Sequence, residues 1–152
     1  MTRPSYRRQM RSLSVGYSDH RRPLYLASSI NQIPIKRDLV DMGASVNLIL
    51  LSTLQAIGIS ERKLQGCPME VIGFGGRGEY TVGHIQLRLK VGPIASLAHF
   101  HVMKIEVSYH ILLGRPWLHK HRLVPSDNAL KCILVIYLCG RYLLITILNL
   151  YN

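Results

Sequence analysis

The fold is decided by residues 40 to 48, which read VDMGASVNL. An apolar run, Ile33 to Val40, leads directly into Asp41, and an Asp-x-Gly-Ala sequence follows before the chain turns apolar again. This pattern predicts a strand that ends in a tight loop carrying a carboxylate. Because any strand that meets a turn can supply Asp-x-Gly, the segment needs support from the rest of the chain. Asp38, three residues earlier, is expected to face solvent.

Short apolar stretches separated by turn residues continue on both sides of this segment, a spacing typical of a mostly-β domain. The clearest strand is Val82 to Val91, where apolar and polar residues alternate and predict one buried and one exposed face. A turn is expected near Asn31 and Gln32. The other strands are expected at Leu24 to Leu26, Ile33 to Val40, Met69 to Ile72 and through Phe100, Val102 and Ile105.

The apolar C-terminal segment, residues 130 to 148, resembles a membrane span in composition. Its uninterrupted part, Cys132 to Gly140, is about half of the roughly 20 apolar residues that a spanning helix requires. Arg141 at mid-span would cost roughly 2.5 to 3.5 kcal/mol on insertion scales. Two strands about a turn at Cys139 to Arg141 fit better, and no membrane contact is expected.

Two short helices are expected to interrupt the strands. Ser52 and Gln55 have the spacing of a capping box, and Gly58 is placed as the C-terminal stop. Pro116 suits the first turn of the second helix, which ends before Pro125. The sequence therefore predicts helices near Ser52 to Ile57 and Pro116 to His121.

A glycine-rich segment, GFGGRG at residues 73 to 78, satisfies the G-x-G-x-x-G pattern of dinucleotide-binding sites. Such a site needs a helix to begin there, so that the helix N-terminus faces the pyrophosphate. The residues that follow, EYTVGHIQLRLKV, instead predict a strand. The glycines therefore indicate a hairpin tip, and no nucleotide cofactor is expected.

Composition and charge narrow the domain organisation. The 152 residues suit one domain, and 48% hydrophobic against 18% charged residues favour a folded chain. The formal net charge is +11, of which +5 falls in residues 1 to 22, with six Arg and one Asp. We expect residues 1 to 22 to be a solvated basic arm and residues 23 to 150 to be the domain. Without a basic stripe interleaved with aromatics, the arm is not expected to bind nucleic acid.

Cysteine spacing bears on the compartment. Cys67, Cys132 and Cys139 form no C-x-x-C pair, which argues against a zinc ribbon and a disulfide scaffold. A reducing, intracellular and most simply cytoplasmic location is expected. The N-terminus lacks the apolar stretch of a secretory signal, whereas its Arg-rich and Ser-rich composition leaves organellar targeting open.

The histidines offer an incomplete metal site. His99 and His101 share a strand face, and His84 and His110 could lie nearby. Since no third ligand can be identified from the sequence, no metal site is predicted.

Three segments together resemble the retropepsin-like aspartic proteases. The family signature D-T/S-G-A is similar to Asp41 to Ala44, its glycine-rich flap to Gly73 to Gly76, and its apolar-apolar-Gly segment to Ile111 to Arg115. These segments occur in family order over roughly residues 22 to 148. A narrower likeness, to the protease region of plant gypsy-type LTR retrotransposon polyproteins, is carried most specifically by YHILLGRPWLH at residues 109 to 119.

The resemblance implies a mostly-β, single-lobe acid protease barrel with two short helices. One lobe supplies one catalytic Asp, so the resemblance also implies a homodimer that cleaves an extended peptide or polyprotein without a cofactor. The implied site residues are Asp41 as the catalytic residue, Met42, Gly43 and Ala44 in the active-site loop, Gly73, Phe74, Gly75 and Gly76 in the flap, and Leu113 and Gly114 as support for the loop.

Met42 departs from the family pattern, which has Thr or Ser at this position. In the family that hydroxyl hydrogen-bonds the catalytic loop of the opposing subunit, and a thioether cannot donate. Two functions stay open on this evidence. One is an aspartic endopeptidase that processes its own polyprotein and is weakened by Met42; the other is a decayed retropepsin-fold remnant that serves at most as an interaction module.

Overall fold

A computed structural model describes residues 24–74, 77–126, 131–138 and 141–149, with side chains over 25–71 and 78–125. The expected basic arm, residues 1–22, lies outside the described residues. The strands are β1 Leu24–Ile30, β2 Ile33–Val40, β3 Leu48–Leu50, β4 Glu70–Phe74, β5 Arg77–Val91, β6 Ile94–Met103, β7 Ile111–Leu113, β8 Leu123–Ser126, β9 Lys131–Leu138 and β10 Arg141–Asn149. The helices are α1 Leu51–Ala56, a 3₁₀-helix Glu61–Lys63 and α2 Arg115–Lys120.

Six strands close into a barrel. They hydrogen-bond in the order β1-β2-β7-β3-β6-β5, and β1 pairs again with β5 through Ser29 with Lys90 and Ile30 with Leu89. β4 continues the sheet beyond β5, and β8, β9 and β10 form a separate three-stranded sheet. The predicted mostly-β barrel with two short helices is confirmed.

The barrel strands follow the sequence pattern closely. On β5 the predicted alternation is present from Ile85 to Val91, where the apolar side chains are buried and the polar side chains are exposed. Asn31 and Gln32 join β1 to β2 with φ of 52° and 66°, as a hairpin turn that matches the strand twist requires. β6 ends at Met103, so the predicted extension of this strand to Ile105 is wrong.

Both helices form where the sequence predicts them, one residue earlier at each start. Gly58 ends α1 as predicted, with its N–H donating to the carbonyl of Gln55. Pro116 lies in the first turn of α2. The capping box at Ser52 is wrong: α1 continues directly from β3, the residue at the cap is Leu50, and no side chain caps the helix.

The apolar C-terminal segment forms the predicted hairpin. β9 and β10 are antiparallel, with Leu138 opposite Arg141, and the turn at residues 139 and 140 lies outside the described residues. In the described part of the chain, the α-helices are six residues long and none is long and apolar enough to cross a membrane.

Two hydrophobic clusters fill the lobe. The main cluster occupies the barrel and includes Phe100 and Trp117, both fully buried. The second cluster is smaller and comprises Leu48, Met103, Tyr109 and Leu112, with Ala44, Val71 and other partly buried side chains packed on it. This second cluster underlies the loop that carries Asp41.

Candidate active site

Parallel pairing of β2 with β7 brings the Asp-x-Gly-Ala segment and the apolar-apolar-Gly segment together. β2 and β7 run parallel with Val40 opposite Leu113. Because both strands end at the same edge, Asp41 and Gly114 follow side by side although they are far apart in sequence. The structure thus places the Asp-x-Gly-Ala loop beside the apolar-apolar-Gly segment.

Backbone hydrogen bonds fix the conformation of the Asp41 loop. The N–H of Asp41 donates to the carbonyl of Leu113 at 3.0 Å, and the N–H of Arg115 donates to the carbonyl of Ala44 at 2.9 Å. Within the loop, the N–H of Gly43 donates to Oδ1 of Asp41 at 2.8 Å. The carboxylate, which is partly exposed, is therefore held in one orientation while Oδ2 has no described partner.

Close approach explains the glycine at position 114. A Cβ there would collide with the carbonyl oxygens of Val46 and Ala44. Any larger residue would separate β7 from the Asp41 loop, so Gly114 lets the two segments touch.

Asn47 joins the same two segments, and the sequence reasoning missed it. Its Oδ1 accepts from the buried N–H of Gly114 at 3.0 Å, and its Nδ2 donates to the carbonyl of His99 at 3.2 Å. Its backbone carbonyl accepts from the N–H of His101. The available signal was a single amide side chain within an apolar run, since a buried amide must find partners.

The remaining predicted site residues are Met42 and the glycine-rich residues 73 to 76. Met42 is partly buried and packs on the main cluster of its own lobe. Gly73 and Phe74 end β4, and Gly75 and Gly76 lie outside the described residues. The glycine-rich segment is a hairpin tip as predicted, since Phe74 pairs with Arg77 across β4 and β5. Its role as a flap stays a prediction.

Tyr109 is a further residue near the site that the sequence reasoning did not single out. It is 6% exposed, belongs to the second cluster, and its hydroxyl has no hydrogen-bond partner in the described part of the chain. Burial, together with the negative charges of Asp41 and Tyr25, raises the pKa of Tyr109 to about 12. Tyr109 is therefore a neutral phenol within electrostatic reach of the Asp41 carboxylate.

Asp38 contradicts the expectation that it faces solvent. Its side chain is fully buried, and neither carboxyl oxygen has a hydrogen-bond partner among the residues that the structure describes. Burial raises the pKa of Asp38 to about 8, although the Ser28 hydroxyl acts in the opposite direction without reaching hydrogen-bonding geometry. The register between β1 and β2 shifts between Leu26 and Ser28, so alternation breaks and Asp38 turns inward with Val40.

Solved structures with similar folds were found. The retroviral protease-like domain of Ddi1 from Leishmania major has a TM-score of 0.59 at 15% identity, covering 86% of this chain and 94% of that domain. A retropepsin-like aspartic protease from Rickettsia conorii has a TM-score of 0.52 at 21% identity, covering 67% of this chain and 82% of that protein. EIAV protease, complexed with the inhibitor HBY-793, has a TM-score of 0.54 at 22% identity, covering 67% of this chain and 90% of that protein.

No protein-family model and no curated protein sequence matches the chain. The likeness to solved structures, together with the barrel and the loop edge at which Asp41 lies, establishes the architecture. The chain has the fold of the retropepsin-like aspartic proteases.

Proposed function

We propose that this chain is an aspartic endopeptidase that acts as a homodimer through two copies of Asp41 and processes a retroelement polyprotein. The observation that carries the proposal is the placement of Asp41, partly exposed at the end of β2 with Oδ1 fixed by Gly43. Rigid orientation of a carboxylate at an accessible strand end suits a general acid or base. The fold supports this class of reaction, because the similar solved structures are proteases or protease-like domains.

The chemistry requires two lobes. Two carboxylates about 3 Å apart cannot both ionise, so a pair of Asp41 side chains would share one proton. The ionised member would take a proton from water as water attacks the peptide carbonyl, and the protonated member would donate to the carbonyl oxygen. Since one chain carries one Asp-x-Gly loop, the second carboxylate must come from another copy.

Met42 favours a second candidate, a lobe that keeps the fold without turnover. Its side chain packs on the core of its own lobe and supplies no hydroxyl to a partner loop. We place the weakened protease first, because the hydrogen bonds that hold Asp41, Ala44 and Leu113 are all present.

The proposed substrate is an extended peptide segment, held by strand-like pairing beneath the hairpin of β4 and β5. The narrower assignment to a plant gypsy-type element depends on the sequence segments alone. An intracellular site of action agrees with three cysteines that form no C-x-x-C pair.

The decisive experiment measures cleavage of a mixed peptide library at acid pH, with new termini identified by mass spectrometry. Wild type is compared with Asp41→Asn and with Glu106→Gln, a control that removes an exposed carboxylate. We expect cleavage by wild type and the control and none by Asp41→Asn. Below the dimer dissociation constant, the initial rate should rise with the square of protein concentration.

Three other outcomes of this experiment would each lead to a different conclusion. Cleavage that persists in Asp41→Asn excludes the aspartic mechanism. A folded wild type that cleaves nothing at high concentration supports the remnant. A rate that is first order in protein at concentrations where the chain sediments as a monomer contradicts the homodimer.

A further inference from the structure

Three histidine rings gather on the outer face of the β5–β6 hairpin. Their centroids are 4.8 Å apart for His84 and His99, 5.1 Å for His99 and His101, and 6.2 Å for His84 and His101. His99 is exposed and the other two are partly exposed. We call this group the histidine cluster.

Strand register assembles the histidine cluster. His99 and His101 are two residues apart on β6 and so share a face, and His84 on β5 is directly opposite His101. The ring of His84 lies against the backbone of Gly66, where a Cβ would come within 2.5 Å of it. His110 is not part of the cluster; its backbone N–H donates to the carbonyl of Arg37 on β2.

The separations match those of imidazoles that share one ion. A nitrogen ligand at about 2.0–2.1 Å from Zn²⁺ puts its ring centroid about 3.2 Å from the ion, and two such rings in a tetrahedral site lie roughly 5.2 Å apart. The three measured distances bracket this value. In the rotamers seen, no three His, Cys, Asp or Glu side chains of the described residues are yet arranged to hold a metal ion. Closure therefore requires rotation of these rings, of which His99 is exposed and His84 and His101 are partly exposed.

We propose that His84, His99 and His101 form a binding site for a divalent transition metal, best suited to Zn²⁺, with the fourth ligand position open. Imidazole suits Zn²⁺, Cu²⁺ and Ni²⁺, whereas Mg²⁺ and Ca²⁺ require oxygen ligands. No Asp or Glu occurs between Val82 and Met103, so this part of β5 and β6 offers imidazole donors without carboxylates.

The surroundings give room for the fourth ligand. His84 and His99 border a cleft of about 460 Å³ whose polar lining includes Asn31, Gln65 and Gln86. A water molecule or a small anion fits such an open position.

The test titrates the full chain with Zn²⁺ by calorimetry and with Co²⁺ by visible absorption. The variants are His99→Gln and the control His119→Gln, which alters an exposed histidine of α2 outside the cluster. We expect one Zn²⁺ per chain, tetrahedral Co²⁺ bands, and an affinity reduced by roughly 100-fold or more in His99→Gln, since even outer ligand partners contribute 10-fold to 100-fold. The control should bind as wild type does.

A second measurement does not depend on variants. Zn²⁺ should protect His84, His99 and His101 of wild type from diethyl pyrocarbonate, as mapped by mass spectrometry, and should leave His119 reactive. Equal affinity in wild type and His99→Gln would overturn the proposal. So would an octahedral Co²⁺ spectrum, sulfur-to-cobalt absorption from cysteine ligands, or protection that does not distinguish His119.

Discussion

Asp38→Asn is expected to remove a pH-dependent loss of stability from the barrel. The substitution replaces the carboxyl by an amide of nearly the same shape that stays neutral at every pH. Asp38 is fully buried without a hydrogen-bond partner, and burial raises its pKa from 3.8 to about 8. The folded chain therefore keeps a proton that the unfolded chain releases near pH 4.

The sign and size follow from proton linkage. Above about pH 4 the folded state binds more protons than the unfolded state, so the free energy of unfolding falls by about 1.4 kcal/mol per pH unit. The contribution is fully present below about pH 4 and is lost as the pH rises through about 8. By pH 7 the loss reaches about 4 kcal/mol, a large share of the about 5–15 kcal/mol that stabilises a domain.

The assay is urea denaturation at several pH values between 4 and 7, followed by the fluorescence of the single tryptophan, Trp117, which is buried. Burial lowers the pKa values of His99, His101 and His121, and these histidines make stability rise with pH. Because they are common to both proteins, the difference between wild type and Asp38→Asn isolates the carboxyl.

We expect Asp38→Asn to gain stability over wild type as the pH rises, by about 4 kcal/mol between pH 4 and pH 7. A buried amide without a partner lowers the free energy of unfolding of Asp38→Asn by about 1–3 kcal/mol. This cost is the same at every pH, so it does not change how the free energy of unfolding varies with pH. Glu106→Gln, which changes an exposed carboxylate, should track wild type. A constant difference between wild type and Asp38→Asn across this pH range would refute the reasoning.

Three further substitutions test the contacts in and around the Asp41 loop. Met42→Thr should tighten self-association by about 30-fold or more, because two restored hydroxyls contribute about 2 kcal/mol or more. Unchanged sedimentation at matched concentration would contradict a hydrogen bond from position 42 to the catalytic loop of the opposing subunit. Asn47→Ala should lower the free energy of unfolding by about 1–3 kcal/mol by leaving the N–H of Gly114 unpaired, whereas Ser45→Ala, exposed in the same loop, should change it by less than about 0.5 kcal/mol. Gly114→Ala should destabilise more than Gly58→Ala, whose Cβ meets nothing within 4 Å and brings only the backbone strain of a φ of 80°. A denaturation midpoint of Gly114→Ala equal to or above that of Gly58→Ala would refute the close-approach argument.

Local patterns in the sequence were enough to find four of the six barrel strands, both helices and the loop of Asp41, but not the three-residue strands β3 and β7. Alternation on β5 predicts its buried face, and Pro116 and Gly58 predict where helices begin and end, because each signal acts within a few residues. The two family-like segments also indicated that Asp41 and Gly114 belong together. Their contact itself depends on the parallel pairing of β2 with β7.

Features that depend on register needed the tertiary structure. The irregular pairing of β1 with β2 turns Asp38 inward, and the pairing of β5 with β6 adds His84, rather than His110, to His99 and His101. Asn47 finds its partners on β6 and beyond β7. The sequence by itself determined four of the six barrel strands, both helices and the carboxylate loop, whereas the structure decided which side chains meet, because register and bulges are set by packing between strands distant in the chain.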